Sequence, residues 1–254
     1  MYLSRMSIFC AGSTAAMQYA RSQLHQNGCT VTDTPQWNTT HLLLDVPSFR
    51  PGSPLLEHGN LDTLLCSLPG DTVICGGGLD QPQLENFRRI DLLQDEQYLA
   101  ENAAITAHCT LQLSAPMLKT TWKDTPVLIL GWGRIGKCLG TLLKSLNCPV
   151  AVMARSDRDR AALVSLGFRS LSPQEAAAHL SDFRMICNTI PAQVLSVSAV
   201  CQCAGAIKID LASQKGLIGE DVIWARGLPG IHAPESSGKL IAKTILRLDK
   251  EAGA

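Results

Sequence analysis

The stretch Val127-Leu128-Ile129-Leu130-Gly131-Trp132-Gly133-Arg134-Ile135-Gly136 decides the fold of this 254-residue chain. Four apolar residues in a row mark a strand buried on both faces, as in a parallel sheet. Three glycines spaced G-x-G-x-x-G follow at once, then a helical segment at 137–146 and an apolar strand at 150–153. In a strand, turn, helix and strand setting the glycines differ in what they do. Gly131 permits the tight turn, Gly133 lets a pyrophosphate approach the backbone, and Gly136 lets helix and strand pack closely. Free N–H groups at the helix start, on Arg134, Ile135 and Gly136, face the phosphates. The motif is read as a dinucleotide-binding turn.

Outward from it the same rhythm continues. Short apolar runs at 185–188, 206–209 and 222–224 follow, and runs at 7–10, 29–31, 41–44 and 72–75 precede, with helical segments at 14–26 and 61–68 between them. Alternation of this kind is the signature of α/β architecture. A proline-rich loop at 47–54, a long helix at 95–113 and a hinge at Pro116 and 120–126 break it into two parts. The expected fold is two doubly wound α/β domains, the C-terminal one a Rossmann NAD(P)-binding domain and the N-terminal one flavodoxin-like. Residues 1–115 form the N-terminal substrate or partner domain with its linking helix, and 116–231 the cofactor domain. Residues 232–254, with Leu240, Ile241, Ile245 and Leu246 at helical spacing, form a final helix returning to the first lobe, the two lobes flanking a cleft. Gly76-Gly77-Gly78 is either a ligand turn at a strand end or a plain tight turn.

Composition narrows the function classes. With 46% hydrophobic and 17% charged residues and a mean hydropathy of +0.10, a disordered chain is excluded. Zero net charge gives no drive toward nucleic acid or an anionic membrane. The charges are uneven: 6 basic and 11 acidic side chains through Thr120, 16 and 11 after it, which puts an anionic ligand in the second half. No run of about 18 apolar residues suggests a membrane span, so a cytoplasmic location is expected. Ten scattered cysteines, without paired metal-site spacing, read as small buried hydrophobes in a reducing compartment, with no metal.

The end of the strand at 150–153 selects the dinucleotide. Where NAD sites usually carry a carboxylate for the ribose, this chain has Ala154-Arg155-Ser156, then Arg158 and Arg160. Arg155, Arg158 and the Ser156 hydroxyl suit a 2′-phosphate, so NADP is expected over NAD, with Asp157 one residue late. Asn188-Thr189-Ile190-Pro191 and Asp210-Leu211-Ala212 complete the crevice, Asp210 being either a cofactor contact or a turn cap.

Taken together, Asn102-Ala103 with Thr106, the glycine turn, Ala154-Arg155-Ser156, Asn188 to Pro191, Asp210 to Ser213, and Gly227-Leu228-Pro229-Gly230 with Ala233-Pro234 resemble the dipicolinate synthase A-subunit family. The resemblance covers about 93–248. It implies an NADP-dependent oxidation of dihydrodipicolinate, or its hydrated precursor, to dipicolinate, a role in sporulation, and partnership with a flavoprotein-like B subunit. A homo- or hetero-oligomer and a small cyclic dicarboxylate substrate go with it. It also adds Gly227 and Pro229 to the cofactor residues and Asn102 to the catalytic ones. The chain departs from the family at Ala107-His108-Cys109 and Glu235-Ser236, where Val-Glu-Gly and Lys-Thr are usual, and at His232, where the family has an apolar residue.

His232, in a loop before the final helix, is the candidate proton acceptor, and His108 a weaker one. His25, His41, His58 and His179 have no acidic partner in sequence and read as surface or packing residues. Two rival readings stand beside the enzyme: a non-catalytic NAD(P)-binding regulatory or scaffold subunit, and a two-domain dehydrogenase with another small carboxylate substrate, for which the Arg, Glu and His set is not visible.

Overall fold

The computed structural model describes residues 6–49, 53, 55, 57, 59–203 and 205–252. Of the expected 47–54 loop, residues 50–52 and 54 lie outside the described residues, as does His58. Packing divides the chain into two compact units. One comprises the described residues through Asn102 with those from Pro229 on, and the other is Ala103–Leu228.

In the first unit β1 (Ser7–Cys10), α1 (Ala15–Gln26), β2 (Thr30–Thr32), β3 (His41–Leu43), α2 (Asn60–Cys66), β4 (Val73–Gly76) and β5 (Arg89–Asp91) precede α3 (Glu96–Ser114). The sheet is all parallel in the order β2-β1-β3-β4-β5, the flavodoxin-like arrangement. Its central strands are buried on both faces, which is why their sequences are unbroken apolar runs.

The second unit runs β6 (Val127–Leu130), α4 (Arg134–Ser145), β7 (Val150–Met153), α5 (Asp157–Ser165), β8 (Arg169–Leu171), α6 (Pro173–Ala178), β9 (Met185–Asn188), α7 (Val197–Gln202), β10 (Ile207–Asp210) and β11 (Val222–Trp224). Its parallel order, β11-β10-β9-β6-β7-β8, is that of a Rossmann domain. Leu128, Leu130, Met153, Ile186 and Leu217 anchor one core face. Then α8 (Leu228–His232) and α9 (Pro234–Ala252) follow.

Several elements differ from expectation. β5 and β8 are strands that the apolar pattern does not announce: each has three residues, begins with arginine and lies at a sheet edge, so neither shows an apolar run. α4 starts at Arg134 and not at 137, because Gly133 already serves as its N-cap. His232 ends a short helix instead of lying in a loop. The proline hinge is not where packing divides the chain; α3 is continuous across Asn102 and Ala103, inside the expected first domain.

Helix α9 packs along α1. Gly238 makes this approach possible, since a Cβ there would lie 2.3 Å from the Ala16 carbonyl oxygen and 2.7 Å from Ala20 N. A second tie is polar. Buried His41 on β3 places Nε2 3.2 Å from Asp249 Oδ1 of α9 and Nδ1 2.8 Å from Thr40 Oγ1, while Arg88 reaches the same Asp249 oxygen at 3.5 Å. His41 therefore has an acidic partner 208 positions away, a correction to its reading as a packing residue.

Burial holds the His41 imidazole below its ordinary value, against the opposing pull of Asp249. A base whose folded pKa is depressed adds stability above its unfolded value, about 6.5, that is lost as pH falls from there through the folded value. Denaturant midpoints followed from pH 7.5 to 5 are expected to fall more steeply for the native chain than for His41→Gln. Equal slopes would remove His41 from the account.

Candidate functional site

The C-terminal edge of the second sheet gathers the expected residues. Gly131 has φ +104°, and a Cβ there would lie 2.6 Å from Thr189 Oγ1 and 2.7 Å from Ile190 Cγ1. At Gly136 a Cβ would stand 2.3 Å from the Gly131 carbonyl oxygen. Both glycines are demanded by the chain's own packing. Gly133 is different: nothing lies within 4 Å of the place its Cβ would take. It also caps α4 without a side-chain hydrogen bond, since a glycine has no side chain to offer the first turn. An open face before a helix start fits a pyrophosphate.

The first unit treats the equivalent turn otherwise. Asp45 accepts from Thr14 N at 3.2 Å and Thr14 Oγ1 at 2.8 Å, and from Ser13 N at 3.4 Å, so the turn that leads into α1 is tied by a carboxylate of its own chain. Gly76-Gly77-Gly78 is closed as well. Gly77 N donates to Ser48 Oγ, and Gly78 N and Leu79 N donate to the Asp91 carboxylate. It is a tight turn, and the ligand reading of it is withdrawn.

At the end of β7, Ser156 is the N-cap of α5, its Oγ accepting from Asp159 N at 3.0 Å. Arg160 donates to the carbonyls of Ala154 (2.9 Å) and Arg155 (2.7 Å) and pairs with Asp157, which occupies that carboxylate. Arg155 and Arg158 are exposed, and neither has a hydrogen-bond or ion-pair partner among the described residues. Two free guanidinium groups therefore stand where a ribose 2′ position belongs in this fold.

Asp210 and Asn188 are fully buried and tie two loops together. Asp210 accepts from Asn188 Nδ2 (3.0 Å), Ala212 N (3.0 Å), Gly216 N (2.7 Å) and Leu217 N (2.8 Å). Asn188 also accepts from Ile190 N and donates to the Ile190 carbonyl. These two side chains shape the crevice wall from behind, as a turn cap does. Thr189 bonds back to the Leu130 carbonyl, Pro191 is exposed, and Leu211 and Ala212 are buried. Gly216 escapes sequence reading, although a Cβ there would lie 2.4 Å from Asn188 Nδ2; glycine six residues after a strand-end aspartate is the available signal.

Other candidates scatter more widely. Gly227 has φ +69° and is exposed, while Pro229 is buried in α8. Asn102 is half-buried on α3, and His108 is exposed on it. His232 is half-buried with no side-chain partner among the described residues. His179 faces Asp182 at 3.4 Å, again an acidic partner that the sequence reading denies it. All ten cysteines are free thiols, and burial pushes Cys10 up to about 11 and Cys148 up to about 12, unsuited to thiolate chemistry. Among the described residues no His, Cys, Asp and Glu cluster suits a metal, and no helix is long and apolar enough to cross a membrane. Two cavities of about 620 Å³ lie away from the glycine turn, one beside β5 and the end of α9, the other at the N-terminal edge of the second sheet.

No protein-family model matches the chain. The A subunit of dipicolinate synthase from Bacillus subtilis is 27% identical over 192 residues, spanning 70% of this chain. The chain is similar to the dipicolinate synthase A subunit. The match covers 65% of that relative's length. The crystal structure of the dipicolinate synthase A subunit from Bacillus halodurans superposes with a TM-score of 0.82 at 22% identity, over 97% of this chain and 98% of that one. A transhydrogenase from Sinorhizobium meliloti gives 0.70 at 12%, over 97% and 94%. The likeness to the Bacillus halodurans protein takes in both doubly wound units, and the 70% span of the Bacillus subtilis match is longer than the stretch from residue 93 to the end of the sequence, so the sequence similarity begins before residue 93.

Asp210→Asn is expected to cost about 2–4 kcal/mol, because an amide NH₂ would face donors that now share a carboxylate. Urea unfolding measures it, and a loss under about 0.5 kcal/mol would deny Asp210 this role.

Proposed function

We propose that the chain is an NADP-dependent oxidoreductase of the dipicolinate synthase A-subunit type, which oxidises dihydrodipicolinate, or its hydrated precursor, to dipicolinate. The observation that carries this reading is the open turn at Gly133, set beside the unpaired Arg155 and Arg158, in a chain similar to that subunit. Gly133, Ile135 and the start of α4 would hold the pyrophosphate, and Arg155, Arg158 and Ser156 the 2′-phosphate. The Ser156 oxygen is engaged by Asp159 N, but its O–H remains able to donate. When bound, the oxidised nicotinamide supplies the hydride acceptor. The dihydro ring then loses one hydride and one proton and becomes an aromatic pyridine, a hydrated precursor first losing water, so the protein mainly has to align the ring and take the proton.

His232 is the residue read as proton acceptor, its imidazole being unpaired among the described residues. Glu235, an anion where the family usually has a cation, pairs with Lys239 at 2.6 Å on the exposed side of α9, so its charge is matched locally and does not oppose a dicarboxylate. A B-type subunit is the expected partner, and the cytoplasm the expected location.

Freshly generated dihydrodipicolinate with NADP is expected to yield NADPH and pyridine absorbance together, with added B-type subunit raising a weak rate. Intact NADP binding with no turnover under either condition would favour the non-catalytic subunit. Calorimetry is expected to show tighter binding of NADP than NAD. Arg155→Ala should remove about 1.5–3 kcal/mol of that preference; equal affinities in the native chain would refute the assignment. His232→Gln is expected to lower kcat by about two to four orders of magnitude with NADP affinity unchanged. Unaltered kcat would return it to a packing role.

A further inference from the structure

Trp224 closes β11 opposite Asp210 of β10, at the same sheet edge as the loops after β9 and β10. Its indole N–H donates to the Ala212 carbonyl at 3.2 Å, which fixes the ring against the loop that Asp210 organises, yet the residue is 40% exposed. Two cations sit on this ring. Lys215 Nζ and the Arg226 guanidinium carbon each lie 5.3 Å from its centroid, so their charges are no farther apart than twice that distance. Arg226 is further oriented by a hydrogen bond to the Ser213 carbonyl.

Neither cation has a carboxylate partner among the described residues. Elsewhere Arg160, Lys208, Lys239, Lys243 and Arg247 all have one. The arrangement is thus a held aromatic plane with two like charges and no internal anion, and an external anion relieves their repulsion. The cofactor phosphates do not fill this role. The glycine turn and Arg155 belong to the β6–β7 side, whereas β10 and β11 lie across β9 in the other half of the strand order, which takes the nicotinamide end in this fold.

We propose that Lys215 and Arg226, both held on the Trp224 ring, recognise the substrate, each cation taking one carboxylate and the indole fixing the two in place. The site rests on the reading of the chain as a cyclic dicarboxylate enzyme and names the residues that select for two carboxylates. It is not visible in sequence, where Lys215 and Arg226 are ordinary loop cations and Trp224 a strand residue.

Calorimetric titration of the full chain, with NADP present, uses pyridine-2,6-dicarboxylate as probe. Lys215→Ala, Arg226→Ala and Trp224→Ala are each expected to weaken it about tenfold or more, with Lys215→Arg close to native and NADP affinity unchanged throughout. Pyridine-2-carboxylate, with one charge fewer, is expected to bind the native chain about tenfold more weakly, and equimolar sulfate not to compete. Native affinity in all three alanine variants, or equal competition by sulfate, overturns the site while leaving the functional reading intact. A native chain that binds NADP but not the dicarboxylate overturns both.

Discussion

A turn that leads from a strand into a helix presents N–H groups that favour something negative, and this chain treats two such turns differently. In the first unit Asp45 swings under α1 and satisfies Ser13 and Thr14 from within. In the second, Gly133 leaves the start of α4 open, with free space where a side chain would stand. The same topology thus yields one turn tied by a carboxylate and one receptive turn. The difference separates the two units more sharply than any count of glycines, since the first unit is also glycine-rich at 76–78.

The receptive turn works only because its walls are fixed. Asp210 gathers four N–H donors at the point where β10 ends, and in doing so ties Asn188 to the loop that carries Lys215 and Gly216. A buried carboxylate without a cation is tolerable when its oxygens are met this fully. The same carboxylate sets the loop onto which Trp224 donates, so the crevice wall and the indole share one support.

What is legible in the sequence follows from physical locality. The central strands can be read because burial on both faces writes an apolar run, and the roles of Gly131 and Gly136 can be read because they arise within a few residues. The edge strands β5 and β8 cannot, since three residues with an arginine carry no such run. Partnerships across long separations are also invisible: His41 with Asp249, and Asp45 with Thr14. Asn188 illustrates the middle case, correctly placed at a strand end yet turned inward to hold its loop.

The first unit takes α9 from the far end of the chain, joined to α1 at Gly238 and to β3 at Asp249. Its contacts are therefore long in sequence, while the second unit is one continuous segment. Loop closure has to be met before such distant contacts return stability. During synthesis the second unit is complete while the first sheet still lacks the helix that covers α1, so the N-terminal half, made first, is the last to be finished.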